Sequence, residues 1–511
     1  MTVLNVASIL KEAAARRPEH TALVLGEQRV RYGALWAEAR RFATVLRAHG
    51  VGPGDAVALL LPNVPDFPRA YFAALALGAV VVPVHALLGA QEICFVLKDS
   101  GAKVLVCAGP LLDSGAKGAA LAGVPVLSVL DPSPEGVHLD ALAAQAEPLA
   151  AMAPRDPMDA AVVLYTSGTT GKPKGAVLSH LNLVMNAQLT AHQVITLSGS
   201  DVLLGCLPLF HSFGQTCAMN AGFWAGATLV LMPRFDGAAA LKLLCDQKVT
   251  VFLGVPTMYL ALLQAASSDP RRPALRLAVS GGAALPLAVI EKFKAEFGAE
   301  IAEGYGLSET SPVATFNQAA FGRRAGTVGH PIWGVEVEIA RADVDERIEL
   351  LGVGELGELV IRGHNIMKGY LNQPEATAQA IVDGWFRSGD LGVKDAQGFI
   401  SIRDRKKDMI LRGGYNVYPR EVEEVLSRHP AVAQVAVIGV PDDHYGEEVV
   451  AVVIRSPAAA ERDPAELERE IITWSQGELA KYKYPRRVEF VSALPLGPSG
   501  KVLKREIAKS L

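Results

Sequence analysis

Residues Thr166–Gly175 read T-S-G-T-T-G-K-P-K-G, and the five before them, Ala161-Val162-Val163-Leu164-Tyr165, are apolar with β-branched and aromatic side chains. A short apolar run closed by a Gly/Ser-rich stretch predicts a buried strand that ends in a loop. The glycines Gly168 and Gly171 let backbone N–H groups approach an oxyanion. The hydroxyls of Thr166, Ser167, Thr169 and Thr170 add donors, and Lys172 and Lys174 bring positive charge. The loop is suited to gripping phosphate. It is not a Walker A loop, because the order G-x-x-x-x-G-K-[S/T] fails: Pro173 stands five residues after Gly168.

Working outward, a chain of 511 residues is too long for one hydrophobic core, so two or more domains are expected. With 50% hydrophobic and 20% charged residues, the composition is that of a globular enzyme, not of a disordered or fibrous chain. The net charge of −4, from 49 basic and 53 acidic side chains, argues against nucleic acid as a partner. The cysteines Cys94, Cys107, Cys206, Cys217 and Cys245 form no C-x-x-C and no zinc spacing, which suits core thiols in a reducing compartment. Met1–Arg17 alternates at helical spacing, carries Lys11, Glu12, Arg16 and Arg17, and lacks the apolar segment of a secretion signal. Tyr71–Ala90 has the length of a membrane span. Gly78, Pro83, His85 and Gly89 interrupt it, so it reads as a buried helix running into the strand Val80–Val84. A cytoplasmic protein without a transmembrane segment is expected, and a homodimer is allowed.

Helical and strand patterns alternate, predicting an α/β fold with mostly parallel strands. In Arg31–Gly50, Leu35, Ala39, Phe42 and Leu46 recur at helical spacing and Gly50 supplies the stop, while Gly26-Glu27-Gln28 predicts a hairpin turn. The charge run Arg403–Asp408 reads as solvated surface at a domain boundary. Beyond it a compact α+β unit is expected. It has a helix at Pro419–His429, strands at Val432–Val440 and Val449–Ile454, and a second helix capped by Asp463 with Glu466 completing the box. Leu467, Ile471, Trp474 and Glu478-Leu479 mark the inner face of that helix.

Five further strings follow the loop: Ser280-Gly281-Gly282-Ala283-Ala284, Gly304-Tyr305-Gly306-Leu307-Ser308-Glu309-Thr310, Trp385–Asp390, Gly413–Glu421 and Pro498-Ser499-Gly500-Lys501. In this order they resemble the adenylate-forming superfamily of acyl- and aryl-CoA synthetases, peptide-synthetase adenylation domains and luciferases. The resemblance implies a large N-terminal domain of mostly parallel sheets wrapped by helices (residues 1–404), a hinge (405–408) and a small mobile α+β C-terminal domain (409–511). It also implies ATP, Mg²⁺ and coenzyme A as cofactor and substrates.

The same resemblance assigns roles, each with a physical reason. A carboxylate must attack the α-phosphorus of ATP, so two anions have to be neutralised and aligned. Lys501 would stabilise the charge developing between them. Glu309, together with Thr166, would hold Mg²⁺, and Ser308 would contact the α-phosphate. Tyr305, between Gly304 and Gly306, would lie against adenine with Gly281, Gly282 and Ala283 as the opposite wall. Asp390 and Arg405 would take the ribose. Lys407 is the expected hinge, and Gly413 and Gly414 the passage for the pantetheine arm of CoA. At Leu496 many relatives carry a basic side chain and this chain does not.

The acyl pocket implied by position is His211, Phe213, Gly222, Val255, Met258, Gly281 and Val313, with His211 beside the carboxylate. No acidic residue follows His211 before Asp236, which disfavours an amino-acid substrate. The reading is an ATP-dependent fatty acyl-CoA synthetase. Its alternatives are an aryl-CoA ligase of the coumarate or benzoate type and a stand-alone enzyme loading a carrier protein. More distant are a light-emitting oxidase and a nucleotide sensor.

Overall fold

The computed structural model describes residues 3–131, 137–166, 173–497 and 502–510. Strand Ala160–Thr166 lies inside an eight-stranded sheet, next to Val80–Pro83 on one side and Lys174–Ser179 on the other. Val80–Pro83, Ala56–Leu60, Ala102–Ala108 and Val126–Val129 pair in parallel. Lys174–Ser179 runs back antiparallel, its first residue Lys174 opposite Thr166. Lys174 therefore belongs to a strand instead of the loop.

A nine-stranded sheet forms the second layer. Ile301–Gly306, Leu277–Ser280, Val251–Gly254, Val202–Gly205, Thr228–Leu231 and Thr21–Leu25 run parallel. Antiparallel strands close its edges: Val313–Phe316 followed by His330–Pro331 at one end and the hairpin partner Gln28–Arg31 at the other. The hairpin turns at Gly26, with φ +56°, as the sequence predicts. Helix Tyr32–Ala48 buries Leu35, Ala39, Phe42 and Leu46 on one face, and helix Asp66–Ala76 is buried nearly all round before strand Val80–Pro83. A third sheet, built on Val335–Ala340, Gly357–Gly363, Trp385–Lys394 and Ile400–Arg405, is antiparallel throughout.

The C-terminal residues form a smaller unit around Ile410–Arg412, Tyr415–Val417, Val432–Asp442 and Gly446–Arg455, with Arg487–Phe490 added in parallel. Its own apolar cluster runs from Ile410 to Val488, with helix residues Val422, Leu426, Leu467 and Ile471 fully buried. Asp463 caps helix Pro464–Glu478 by accepting from the Glu466 N–H. Trp474 packs on the cluster, edge-on to His429.

The charge run departs from expectation. Asp404 is buried, and its carboxylate accepts from the N–H groups of Arg405 (2.7 Å) and Arg420 (2.9 Å). Arg420 sits in the first turn of helix Pro419–Leu426, so this acid caps a helix of the small unit from a strand of the third sheet. A charge run signals water only when its members lack such partners.

Candidate active site

Side chains converge where the parallel strands of the nine-stranded sheet end. Val202–Gly205 leads to Leu207–Gly214, Val251–Gly254 to Val255, Leu277–Ser280 to Gly281–Ala283, and Ile301–Gly306 to Leu307–Glu309. In open α/β sheets the carboxyl ends of strands leave such a crevice. The cleft measures about 1630 Å³. Thr166 and Lys174 reach it from the eight-stranded sheet, Arg405, Lys406 and Lys407 from the third, and Leu503, Arg505 and Glu506 from the C-terminal segment. Among the described residues no helix is long and apolar enough to cross a membrane.

One end of the cleft is densely polar. Tyr305 donates from its hydroxyl to Asp390 Oδ2 at 2.7 Å, and Arg405 Nε lies 3.1 Å from Asp390 Oδ1. Asp390 and Arg405 face each other across two paired strands, so the sheet register itself builds the ion pair. Burial, and then the Asp390 carboxylate, push the Tyr305 phenol well above its usual range, which keeps it a donor. Gly306 is required by space: a Cβ there would meet the Pro312 carbonyl oxygen at 1.8 Å. Glu309 is only 8% exposed. Its Oε1 accepts from the Tyr370 hydroxyl at 2.9 Å and stands 3.5 Å from Thr166 Oγ1, while Lys174 lies over the Tyr370 ring. The Ser308 hydroxyl is 3.5 Å from that of Ser212.

The other end is apolar. Val194, Ile195, Leu207, Phe213, Cys217, Val255, Val279, Val313 and Phe316 line it, with His211 and His85 nearby. Burial, and then the proximity of His211, bring His85 down to about 4, so it is neutral at pH 7. Asp236, the first acid after His211, caps helix Gly237–Asp246 and does not line the cleft.

Of the sequence-derived site residues, Thr166, Lys174, His211, Phe213, Val255, Gly281, Gly282, Ala283, Gly304, Tyr305, Gly306, Ser308, Glu309, Val313, Arg405 and Lys407 lie on this one cleft. Asp390 is tied to it through Tyr305 and Arg405. Four do not line it. Gly222 is buried near Leu203, Met258 sits in the core with its sulfur 4.0 Å from Cys206 Sγ, and Gly413 and Gly414 occupy a hairpin turn of the small unit near Tyr445. Ser167, Gly168, Thr169, Thr170, Gly171 and Lys501 lie outside the described residues. Sequence reading missed Tyr370 and His85. Tyr370 stands 61 residues from its partner Glu309, and no local pattern links them.

A family model for AMP-binding enzymes matches residues 10–371, and one for the AMP-binding enzyme C-terminal domain matches residues 421–501. The chain is 35% identical to a long-chain-fatty-acid–CoA ligase of Bacillus subtilis, over 98% of this chain and 93% of that one. It is 38% identical to a feruloyl-CoA synthase of an Amycolatopsis species, over 97% of each. The solved structure of a benzoate CoA ligase from Burkholderia xenovorans superposes with a TM-score of 0.91 at 30% identity, covering 99% of this chain and all of that one. The chain belongs to the AMP-binding enzyme family, among its acyl- and aryl-CoA ligases.

Proposed function

We propose that the chain is an ATP-dependent fatty acyl-CoA synthetase. Its carboxylate substrate attacks the α-phosphorus of ATP, the bond to pyrophosphate breaks, and the acyl-adenylate then gives its acyl group to the CoA thiol with AMP leaving. The polar end of the cleft holds the nucleotide: Tyr305 against adenine, Asp390 and Arg405 on the ribose, Thr166, Lys174 and Ser308 on the phosphates. Lys501 stabilises the pentavalent charge and His211 orients the carboxylate. Glu309 and Thr166 offer two hard oxygen donors side by side, which fits a Mg²⁺ ion that draws its other ligands from phosphate and water. When bound, that ion would screen the phosphates.

Two apolar clusters, one ending before and one starting at Ile410, support a division into residues 1–404, a hinge 405–408 and a mobile unit 409–511. Lys407 is exposed on the cleft wall, where a backbone change meets little resistance. Rotation there would replace Lys501 with Gly413 and Gly414 at the cleft for the thiol step.

The observation that carries the substrate class is the apolar end. Among its described residues, Leu207, Phe213, Val255, Val279 and Val313 offer no partner for an ammonium or a second carboxylate, and such a charge would be stranded at a cost of several kcal/mol. The likeness to a feruloyl-CoA synthase favours a second reading, an aryl-CoA ligase. Pyrophosphate release should be measured over fatty, aromatic, amino and dicarboxylic acids, with and without CoA. Preference for fatty acids and CoA-dependent turnover support the first reading, preference for ferulate or benzoate moves it to the second, and preference for a charged side chain overturns both.

A further inference from the structure

The apolar end of the cleft is not free of polar atoms: the Ser280 hydroxyl and His85 Nε2 lie on the cleft without hydrogen-bond partners, and so does a threonine at its inner end. Thr190 lines it, is fully buried, and its Oγ1 finds no nitrogen or oxygen partner, only the Cys217 thiol. Helical hydroxyls can satisfy themselves on the preceding turn, as Ser100 does by donating to the Val96 carbonyl at 2.6 Å and Thr377 to the Gln373 carbonyl at 2.9 Å. Thr190, which ends helix His180–Leu189 and opens a π-helical turn, Thr190–Val194, makes no such bond. A second π-helical stretch, Phe213–Asn220, brings Cys217 beside it. Such turns recur at functional sites. Ile195, Cys217, Leu207 and Val279 are each 4% exposed or less yet still line the cleft, so they close its narrow inner end.

A buried hydroxyl without a partner is costly and is seldom kept without a reason. The cysteine is a poor remedy, since a thiol donates and accepts only weakly. Burial pushes it up to about 12, so it remains a neutral S–H.

We propose that this inner end is a hydroxyl-recognition subsite, in which Thr190 Oγ1, with the Cys217 thiol beside it, binds a hydroxyl or carbonyl oxygen carried at the far end of the substrate. The substrate class is then an apolar monocarboxylic acid with one neutral oxygen function distant from its carboxylate. This rests on the acyl reading of the cleft given above. The oxygen would exchange its hydrogen bonds to water for one to Thr190, whereas an unsubstituted acid leaves Thr190 as it stands.

The test uses the full chain and matched acids: ω-hydroxy against unsubstituted fatty acids from hexanoate to dodecanoate, and 4-hydroxyphenylpropanoate against phenylpropanoate. Pyrophosphate release is expected to favour the oxygenated member of at least one pair by about tenfold or more in kcat/KM. Thr190→Val, close in shape, should erase that preference while leaving the unsubstituted acid's kcat/KM equal or higher, and Thr190→Ser should keep the preference. Turnover of both members without preference, or a preference unchanged in Thr190→Val, overturns the subsite and leaves the acyl reading standing. Failure to turn over any apolar acid overturns the acyl reading, and the subsite with it.

Discussion

The two ends of the cleft are built on opposite plans. At the polar end the acids have partners, Asp390 between Tyr305 and Arg405, Glu309 beneath Tyr370. At the other end the walls are apolar, and buried hydroxyls such as Thr190 are left without a nitrogen or oxygen partner. The difference teaches where specificity can reside. Phosphate, ribose and a cation demand fixed charges in fixed places, so the polar end can vary little without losing the reaction. An apolar wall can be recut by a methyl group at small cost, so substrate choice belongs to the other end.

The largest effect that tests this contrast is at the polar end. Lys501→Ala is expected to slow adenylate formation by roughly a hundredfold to a thousandfold, the usual cost of removing one group aimed at developing charge. The loss should be the same for every acid tried, because in the proposed role the lysine would meet the carboxylate and not the tail. Thioester formation from a supplied acyl-adenylate should be spared. Equal loss in both half-reactions, measured by single turnover, would make Lys501 structural.

Next in size is acid sensitivity. His180 follows the strand that carries Lys174 and is fully buried. It accepts from the Val6 N–H at 3.1 Å, and its Nε2 has no partner. Burial, then Arg155, bring it from 6.5 down to about 4, with Asp159 acting the other way. A histidine held neutral in the fold takes up its proton more readily when unfolded. Stability is therefore unaffected above pH 6.5 and declines as pH falls from about 6.5 to about 4, by about 3 kcal/mol in total. Urea unfolding across that window checks it. His180→Gln should flatten the slope, and a parent protein with no such slope refutes the assignment.

The same contrast explains what the sequence disclosed. The polar end was legible because its chemistry needs particular residue types in a local order: G-Y-G-L-S-E-T keeps Tyr305, Ser308 and Glu309 together, and T-S-G-T-T-G-K-P-K-G marks its own strand and loop. The hairpin at Gly26 and the amphipathic helix Tyr32–Ala48 were equally readable from local pattern. What depends on pairing across long separations was not. Tyr370 finds Glu309 only through the sheet, where strand Gly369–Tyr370 pairs with Lys174–Ser179. Asp404 reads as one charge among several until Arg420 arrives to be capped. At the acyl end Val255 and Val313 line the cleft while Met258 does not, and no spacing separates a cleft wall from ordinary core.

Tyr370→Phe is the more modest probe of the paired end. It removes one donor from a carboxylate that is 8% exposed, and hydrogen bonds to charged groups are worth about 1.5–3 kcal/mol. With Thr166 and solvent able to compensate in part, about a tenfold fall in kcat/KM for ATP is expected. The half-maximal Mg²⁺ concentration should rise, and the ranking of acids should not change. A variant with altered acid preference and unaltered Mg²⁺ dependence would place Tyr370 at the wrong end of the cleft.

The smallest effect belongs to the apolar end and is measured one methylene at a time. Each CH₂ moved from water to the wall formed by Phe213, Val255, Val279 and Val313 should contribute about 0.8 kcal/mol, roughly a fourfold step in kcat/KM. The climb should begin at acetate, because these side chains add no charge that a short acid could exploit. It should stop when the chain end reaches Ile195, Leu207 and Cys217, which are almost without exposed surface and leave no room for further carbon. The plateau is thus a ruler for the depth of the cleft. Thr190→Ala and Cys217→Ala, each removing volume at that end, should move the plateau to longer acids without changing the slope below it. A slope near zero from acetate onward would mean that the tail never enters this wall. The contrast between a charged end and an apolar end would then describe the fold and not the substrate.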